Sequence, residues 1–207
     1  MVYVGAAAGT ILGYFIGEKQ LTQWDMTEKN FRIALLAGIG LIFWPGAFLM
    51  RQYDYHLLKI LRYWILLYAL LLLGFVDYKK RIIPNRALLV LMGVRMVLLA
   101  AECVCFPEVW LEILVSSFCG LFGGGFLFLL AGLIARKGLG MGDVKMIAVT
   151  GFYLGFQVLM SDLILSLLLT VMGGLFNLII RKRSMKSEMP FAPFLALGTW
   201  FAILLGC

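Results

Sequence analysis

A series of apolar runs, separated by short basic or glycine-containing breaks, constrains this chain more than any other feature. A hydrocarbon core ~30 Å thick takes about 20 apolar residues per crossing helix. Eight runs are candidates for such helices: 2–17, 31–50, 60–77, 87–105, 109–135, 144–160, 162–180 and 190–206. The first is the shortest. Together they occupy most of the 207 residues and leave no room for a separate soluble unit. Charged residues make up only 14% of the chain, against about 25% in soluble domains. The expectation is an all-α, polytopic transmembrane bundle of about eight helices, forming one integral membrane domain over residues 1–207.

Charge placement orients the bundle. The net charge is +7, but the 18 Lys and Arg lie mainly in short loops. That is the pattern of a polytopic membrane protein rather than of a nucleic-acid binder. The loops 78–86, "YKKRIIPNR", and 181–189, "RKRSMKSEM", each carry four Lys/Arg, and 136–143, "RKGLGMGD", carries two. The intervening connections, 106–108 and around Ser161, carry none. The positive-inside tendency therefore places the three basic loops on the cytoplasmic side. Loop 51–59, "RQYDYHLLK", disagrees, since parity makes it external although it holds Arg51 and Lys59. The N-terminal stretch "MVYVGAAAGTILGYFIGEKQ" lacks a basic n-region and reads as a retained first span.

Several residues are read structurally first, with a catalytic role for Arg95 and Glu102 as the alternative. Gly5, Gly9, Gly13 and Gly17 line one helical face, and Gly120 and Gly123 to Gly125 suggest another close helix contact. The four cysteines, Cys103, Cys105, Cys119 and Cys207, form no C-x-x-C pair. With a single histidine, His56, they read as buried thiols rather than a zinc site. His56 itself reads as a surface residue. Arg95 and Glu102 are seven apart on one face of the fourth span and predict an ion pair or hydrogen bond inside the bundle. Glu112 and Asp162 fall near the outer ends of their spans and read as solvated.

Two carboxylates stand apart from these. Asp77 ends the third span in "LLLGFVDYKKRIIPN", and Asp143 opens the sixth in "GLGMGDVKMIA". By parity, a helix that ends on the cytoplasmic face and one that starts there hold both groups at one depth. An ionisable residue at such a position is costly and is a functional-site hypothesis by default, beside the plainer readings of a helix cap for Asp143 and a water-facing helix end for Asp77. Two carboxylates in a low-dielectric cleft share a proton, because the second ionisation is opposed by the first. The anion can then take a proton from water while the acid polarises a peptide carbonyl. This chemistry needs no metal, cofactor or covalent nucleophile. Gly140 and Gly142 would allow unusual backbone angles and a close substrate. Asp143 would profit from a helix N-terminus. Pro84 and Asn85 read as the start of the fourth helix, with Asn85 as its cap.

In these motifs the chain resembles the type IV prepilin peptidases, polytopic aspartyl proteases of the G-x-G-D type. "GMGDVKMIA" is similar to the family's G-x-G-D-x-K segment, with Asp143 as second catalytic aspartate and Lys145 as the following lysine. "DYKKRIIPN" is similar to the segment of the first aspartate, here Asp77, with Pro84 and Asn85 closing it. "PFAPFLALG", 190–198, is similar to the Pro-Phe-x-Pro-Phe segment opening the last helix, and "LGYFIGEKQ", 12–20, is a fainter echo of the first. The resemblance implies a leader peptidase of the cell membrane, with an Asp77/Asp143 dyad facing the cytoplasm. Its partners would be the lipid bilayer and a prepilin or pseudopilin, itself a membrane-inserted helix with a short basic leader. Many members also carry a cytoplasmic insert with two C-x-x-C pairs binding zinc, and methylate the new N-terminus. Loop 18–30, "EKQLTQWDMTEKN", is short and lacks cysteine. The expectation is therefore a peptidase without the zinc module and without a recognisable site for the methyl donor. Other G-x-G-D intramembrane proteases share the chemistry but use a Pro-Ala-Leu segment, absent here. A proton-coupled transporter relaying protons through the two aspartates is the reading from another class, and it would favour an inverted repeat.

Overall fold

The computed structural model describes residues 33, 36–40, 52, 56–135, 140–180 and 190–206. Six helices are bounded within that set: α1 (Leu57–Lys80), α2 (Asn85–Cys105), α3 (Trp110–Ala135), α4 (Met141–Leu154), α5 (Phe156–Ile180) and α6 (Ala192–Leu204). The described residues contain no strand. The helices α1, α2, α3 and α5 are long and apolar enough to cross a membrane. The protein is an all-helical, multi-pass membrane protein, as the apolar runs imply. The expected spans 2–17 and 31–50 lie outside the described residues apart from 33 and the helical residues 36–40, as do most of loop 51–59, the Gly5–Gly17 face, loops 18–30 and 181–189, and Cys207.

One boundary differs from the expectation. The sixth run does not continue to residue 160 and turn near Ser161. It ends at Gly155, which adopts φ 82° and ψ 167°, a conformation open to glycine and strained for other residues. The helix α4 therefore has 14 residues, about 21 Å at 1.5 Å per residue, and stops short of a ~30 Å hydrocarbon core. A helix that ends at that depth must satisfy its last carbonyls within the protein.

Arg95 does so. Its Nε donates to the Phe152 carbonyl at 2.9 Å, one of its terminal nitrogens to Glu102 at 2.9 Å, and the other to Ser117 Oγ at 2.9 Å. Arg62 reaches both Glu102 oxygens at 3.2 Å. The expected Arg95–Glu102 pair is present, and it is the middle of a network joining α1, α2, α3 and α4. The Tyr153 hydroxyl adds a second tie, donating to the Leu91 carbonyl at 2.8 Å.

Glycine sets the tightest crossing, as expected for Gly120. A Cβ on Gly120 would run into the Gly151 carbonyl, so α3 and α4 meet backbone to backbone. Other expectations need correction. Asp162 is fully buried, because the break at Gly155 carries it into the second turn of α5 rather than leaving it at a solvated end. Of the three described cysteines, Cys105 and Cys119 are exposed and Cys103 is half-buried. Cys105 and Cys119 thus stand on the outer surface of the bundle rather than in its core. His56 is exposed, as expected, and also caps α1 by accepting the Leu58 N–H at 3.4 Å.

Candidate active site

Asp77 lies in the last turn of α1. The helix stops at Arg81, whose backbone is left-handed (φ 53°, ψ 37°) and whose N–H donates to the Asp77 carbonyl. Lys79 and Lys80 in that turn suit the negative end of the helix dipole. The Asp77 side chain points inward and is 6% exposed. Its Oδ2 accepts the backbone N–H of Ala192 at 3.0 Å, and the Phe191 N–H is directed at the same carboxylate. These are unsatisfied donors of the first turn of α6, a natural anion site.

Gly74 permits this approach. It sits one turn before Asp77, and a Cβ there would stand 3.3 Å from Pro193 Cα and 3.4 Å from its nitrogen. Pro193 belongs to the first turn of α6, where a missing N–H costs nothing. The "PFAPF" segment thus starts a short helix against Asp77. Sequence reasoning placed the segment at a helix start but missed what its backbone donates to. Gly74, within a leucine run, was missed altogether; a lone glycine one turn before a buried carboxylate was the available signal.

Asp143 occupies the first turn of α4, as expected, and is half-buried. Gly140 is the N-cap with φ −71° and ψ 138°. Neither Gly140 nor Gly142 needs a left-handed backbone, which corrects the expectation of unusual angles. Their smallness matters instead. A Cβ on Gly142 would stand 3.2 Å from Ile83 Cβ, so α4 begins directly against the segment that follows Asp77. A Cβ on Gly140 would crowd Asp143 Oδ2 at 3.3 Å.

Lys145 completes the contact between the two segments. Its Nζ donates to Asn85 Oδ1 at 3.2 Å. Asn85 is consequently not the cap of α2. Pro84 occupies the cap position without a side-chain bond, and Asn85 is the first helical residue. Its amide oxygen is aimed at Lys145 rather than at its own helix.

Asp143 lies outside the four membrane-length helices. Burial first, and the negative charge of Asp77 second, push its carboxyl up to about 6, against the pull of the Gly140 N–H. The charge of Asp77 is thus felt at Asp143, at one end of the bundle. The arrangement can hold one anion, fixed by backbone donors, beside one acid. Among the described residues no three His, Cys, Asp or Glu side chains converge to hold a metal ion.

Comparison with known proteins bears on the same segments. The chain is 33% identical over 158 residues to a prepilin leader peptidase/N-methyltransferase of Pseudomonas putida, covering 68% of this chain and 48% of that protein. It is 33% identical over 140 residues to the protein of the same name from Bacillus subtilis (strain 168), covering 66% and 52%. A further relative of that name, from Aeromonas salmonicida (strain A449), is 36% identical over 74 residues, covering 36% of this chain and 25% of the relative. The chain spans about half the length of the first two. No solved structure matches. The type IV leader peptidase family profile matches residues 64–178, which include both aspartate segments and more than half of the 207 residues. On that match the chain belongs to the type IV leader peptidase family.

Proposed function

We propose that residues 1–207 form one membrane aspartyl endopeptidase domain that removes the short basic leader of a type IV prepilin or pseudopilin. Cleavage takes place at the cytoplasmic face of the cell membrane. The observation that carries this reading is the packing of the two motif segments on each other, Gly142 against Ile83 and Lys145 on Asn85, with Asp77 backed by a helix N-terminus and Asp143 raised by burial and by the charge of Asp77. Family membership supports the substrate class. The basic loops 78–86 and 136–143 flank the dyad and support the cytoplasmic orientation.

In the mechanism, Asp77 is the anion. It accepts a proton from water as the water oxygen attacks the scissile carbonyl carbon. Asp143 holds the shared proton and donates a hydrogen bond to the carbonyl oxygen, stabilising the negative charge that develops there. The tetrahedral intermediate collapses as the C–N bond breaks, and the proton gained by Asp77 passes to the leaving amine. The dyad ends with one proton, as it began. Gly140, Gly142, Lys145, Pro84 and Asn85 hold the two segments in register, with Gly142 against Ile83 and Lys145 bonded to Asn85.

The test is co-expression with a tagged prepilin from the same genome, followed by gel shift and mass spectrometry. Wild type is expected to remove the leader, while Asp77→Asn and Asp143→Asn, at matched membrane levels, are expected to lose activity by at least ~10³-fold. Cleavage by both variants would refute the dyad. Failure of wild type on every prepilin would favour the transporter reading. The product mass also reports any N-methylation.

A further inference from the structure

Asp162 is a buried carboxylate outside the dyad. It lies on α5, and its hydrogen-bond partners among the described residues are two hydroxyls. Ser166 Oγ donates to Oδ1 at 2.9 Å, and Thr199 Oγ1 donates to Oδ2 at 3.0 Å. All three side chains are inaccessible. Gly198 makes room for the group, since a Cβ there would run into the Ser166 hydroxyl. Placing a carboxylate inside a membrane bundle is costly. Apolar packing of α5 on α6 needs no such group.

Thr199 belongs to α6. It stands seven residues, two helical turns, after Ala192 and therefore on the same face, about 10 Å along the axis. Ala192 is the residue whose N–H enters the Asp77 carboxylate. One short helix thus carries the Asp162 clasp on its middle turn and the Asp77 donor on its first. The Thr199 hydroxyl also lies 2.9 Å from the Leu195 carbonyl, the usual acceptor for a helical threonine. An α6 without Asp162 would lose the Thr199 tie to α5, while its own hydroxyl stayed satisfied by the Leu195 carbonyl.

We propose that Asp162 and Thr199 are positioning residues for Asp77, the clasp fixing the axial position of α6 and with it the N–H donated to the carboxylate. The inference rests on the reading of Asp77 as a catalytic base. A slide of α6 by half an ångström would stretch the 3.0 Å bond to the edge of useful geometry. The cost falls on the chemical step, because the donor orients the base rather than the substrate.

Purified enzyme in detergent, with a synthetic prepilin substrate, tests this. The comparison is among wild type, Asp77→Asn, Thr199→Val, Thr199→Ser, Asp162→Leu and Gly74→Ala, each normalised to folded protein. Thr199→Val keeps shape and removes the hydroxyl. It is expected to lower kcat about tenfold with KM unchanged, and Thr199→Ser is expected to restore wild-type kcat. Gly74→Ala pushes on Pro193 from the Asp77 side and is expected to lower kcat in the same way. If Thr199→Val keeps wild-type kcat, or Val and Ser lower it equally, the inference is overturned. If Thr199→Val does not accumulate as folded protein, Asp162→Leu, which removes both acceptors of the clasp at similar size, decides in its place, and a wild-type kcat there overturns the inference. Full cleavage by Asp77→Asn would instead remove the reading on which it rests.

Discussion

At the scale of single residues, the two aspartates are chemically alike and differently held. Asp77 receives backbone N–H groups from another helix, whereas Asp143 is raised by burial and by the charge of its partner. A carboxyl pushed up to about 6 keeps its proton below that pH and releases it above. The proposed reaction needs that proton on Asp143. Activity should therefore fall as pH rises through the value, with a macroscopic limb that belongs to the pair. A kcat profile taken from about pH 5 to 9 checks this, and a flat profile across the range contradicts it. The aspartates themselves were readable in the sequence because carboxylates are rare in apolar runs. The backbone donor of Ala192 was not, since an N–H leaves no trace in the choice of side chain. Asp162 was misread for a related reason. Its burial follows from where α4 ends, and one glycine decides that.

At the scale of elements, α4 is the unusual member. It starts at the end of the bundle that holds Asp77 and stops after 14 residues, within the bundle. Its end is held by Arg95 on the Phe152 carbonyl and by Tyr153 on the Leu91 carbonyl, and its flank lies backbone to backbone on Gly120. Arg95→Met should leave that carbonyl unsatisfied and Glu102 with Arg62 alone. Breaking a buried pair in this way costs about 3–5 kcal/mol. A drop in thermal stability in detergent, together with lost activity, is the expected outcome. A variant as stable as wild type would show that the network does not hold α4. Sequence spacing predicted the Arg95–Glu102 pairing but not its task, because nothing local to α2 says that a helix ends opposite it.

At the scale of the whole molecule, the helices bring residues 77, 143 and 192 to one end and the Arg62–Glu102–Arg95 network toward the other. This polarity can be checked by labelling intact cells and inverted vesicles with a membrane-impermeant thiol reagent. Native Cys105, exposed at the far end of α2, should react from outside. Ile82→Cys, at an exposed position beside Asp77, should react from inside in a Cys105→Ser background. Labelling of both from one side would contradict the proposed orientation.

What the sequence determined by itself was the class of solvent, the helical class and the helix ends at which Asp77 and Asp143 stand. Apolar run length and loop charge are one-dimensional quantities, and they suffice for those conclusions. Only the tertiary structure decided which groups surround the carboxylates. Ala192 reaches Asp77 across 115 residues, Lys145 reaches Asn85 across 60, and Asp162 reaches Thr199 across 37. Those partners are set by how helices slide and cross, by gaps the width of one missing Cβ at Gly74, Gly142 and Gly198. Such fits depend on both surfaces at once, and neither segment encodes them alone.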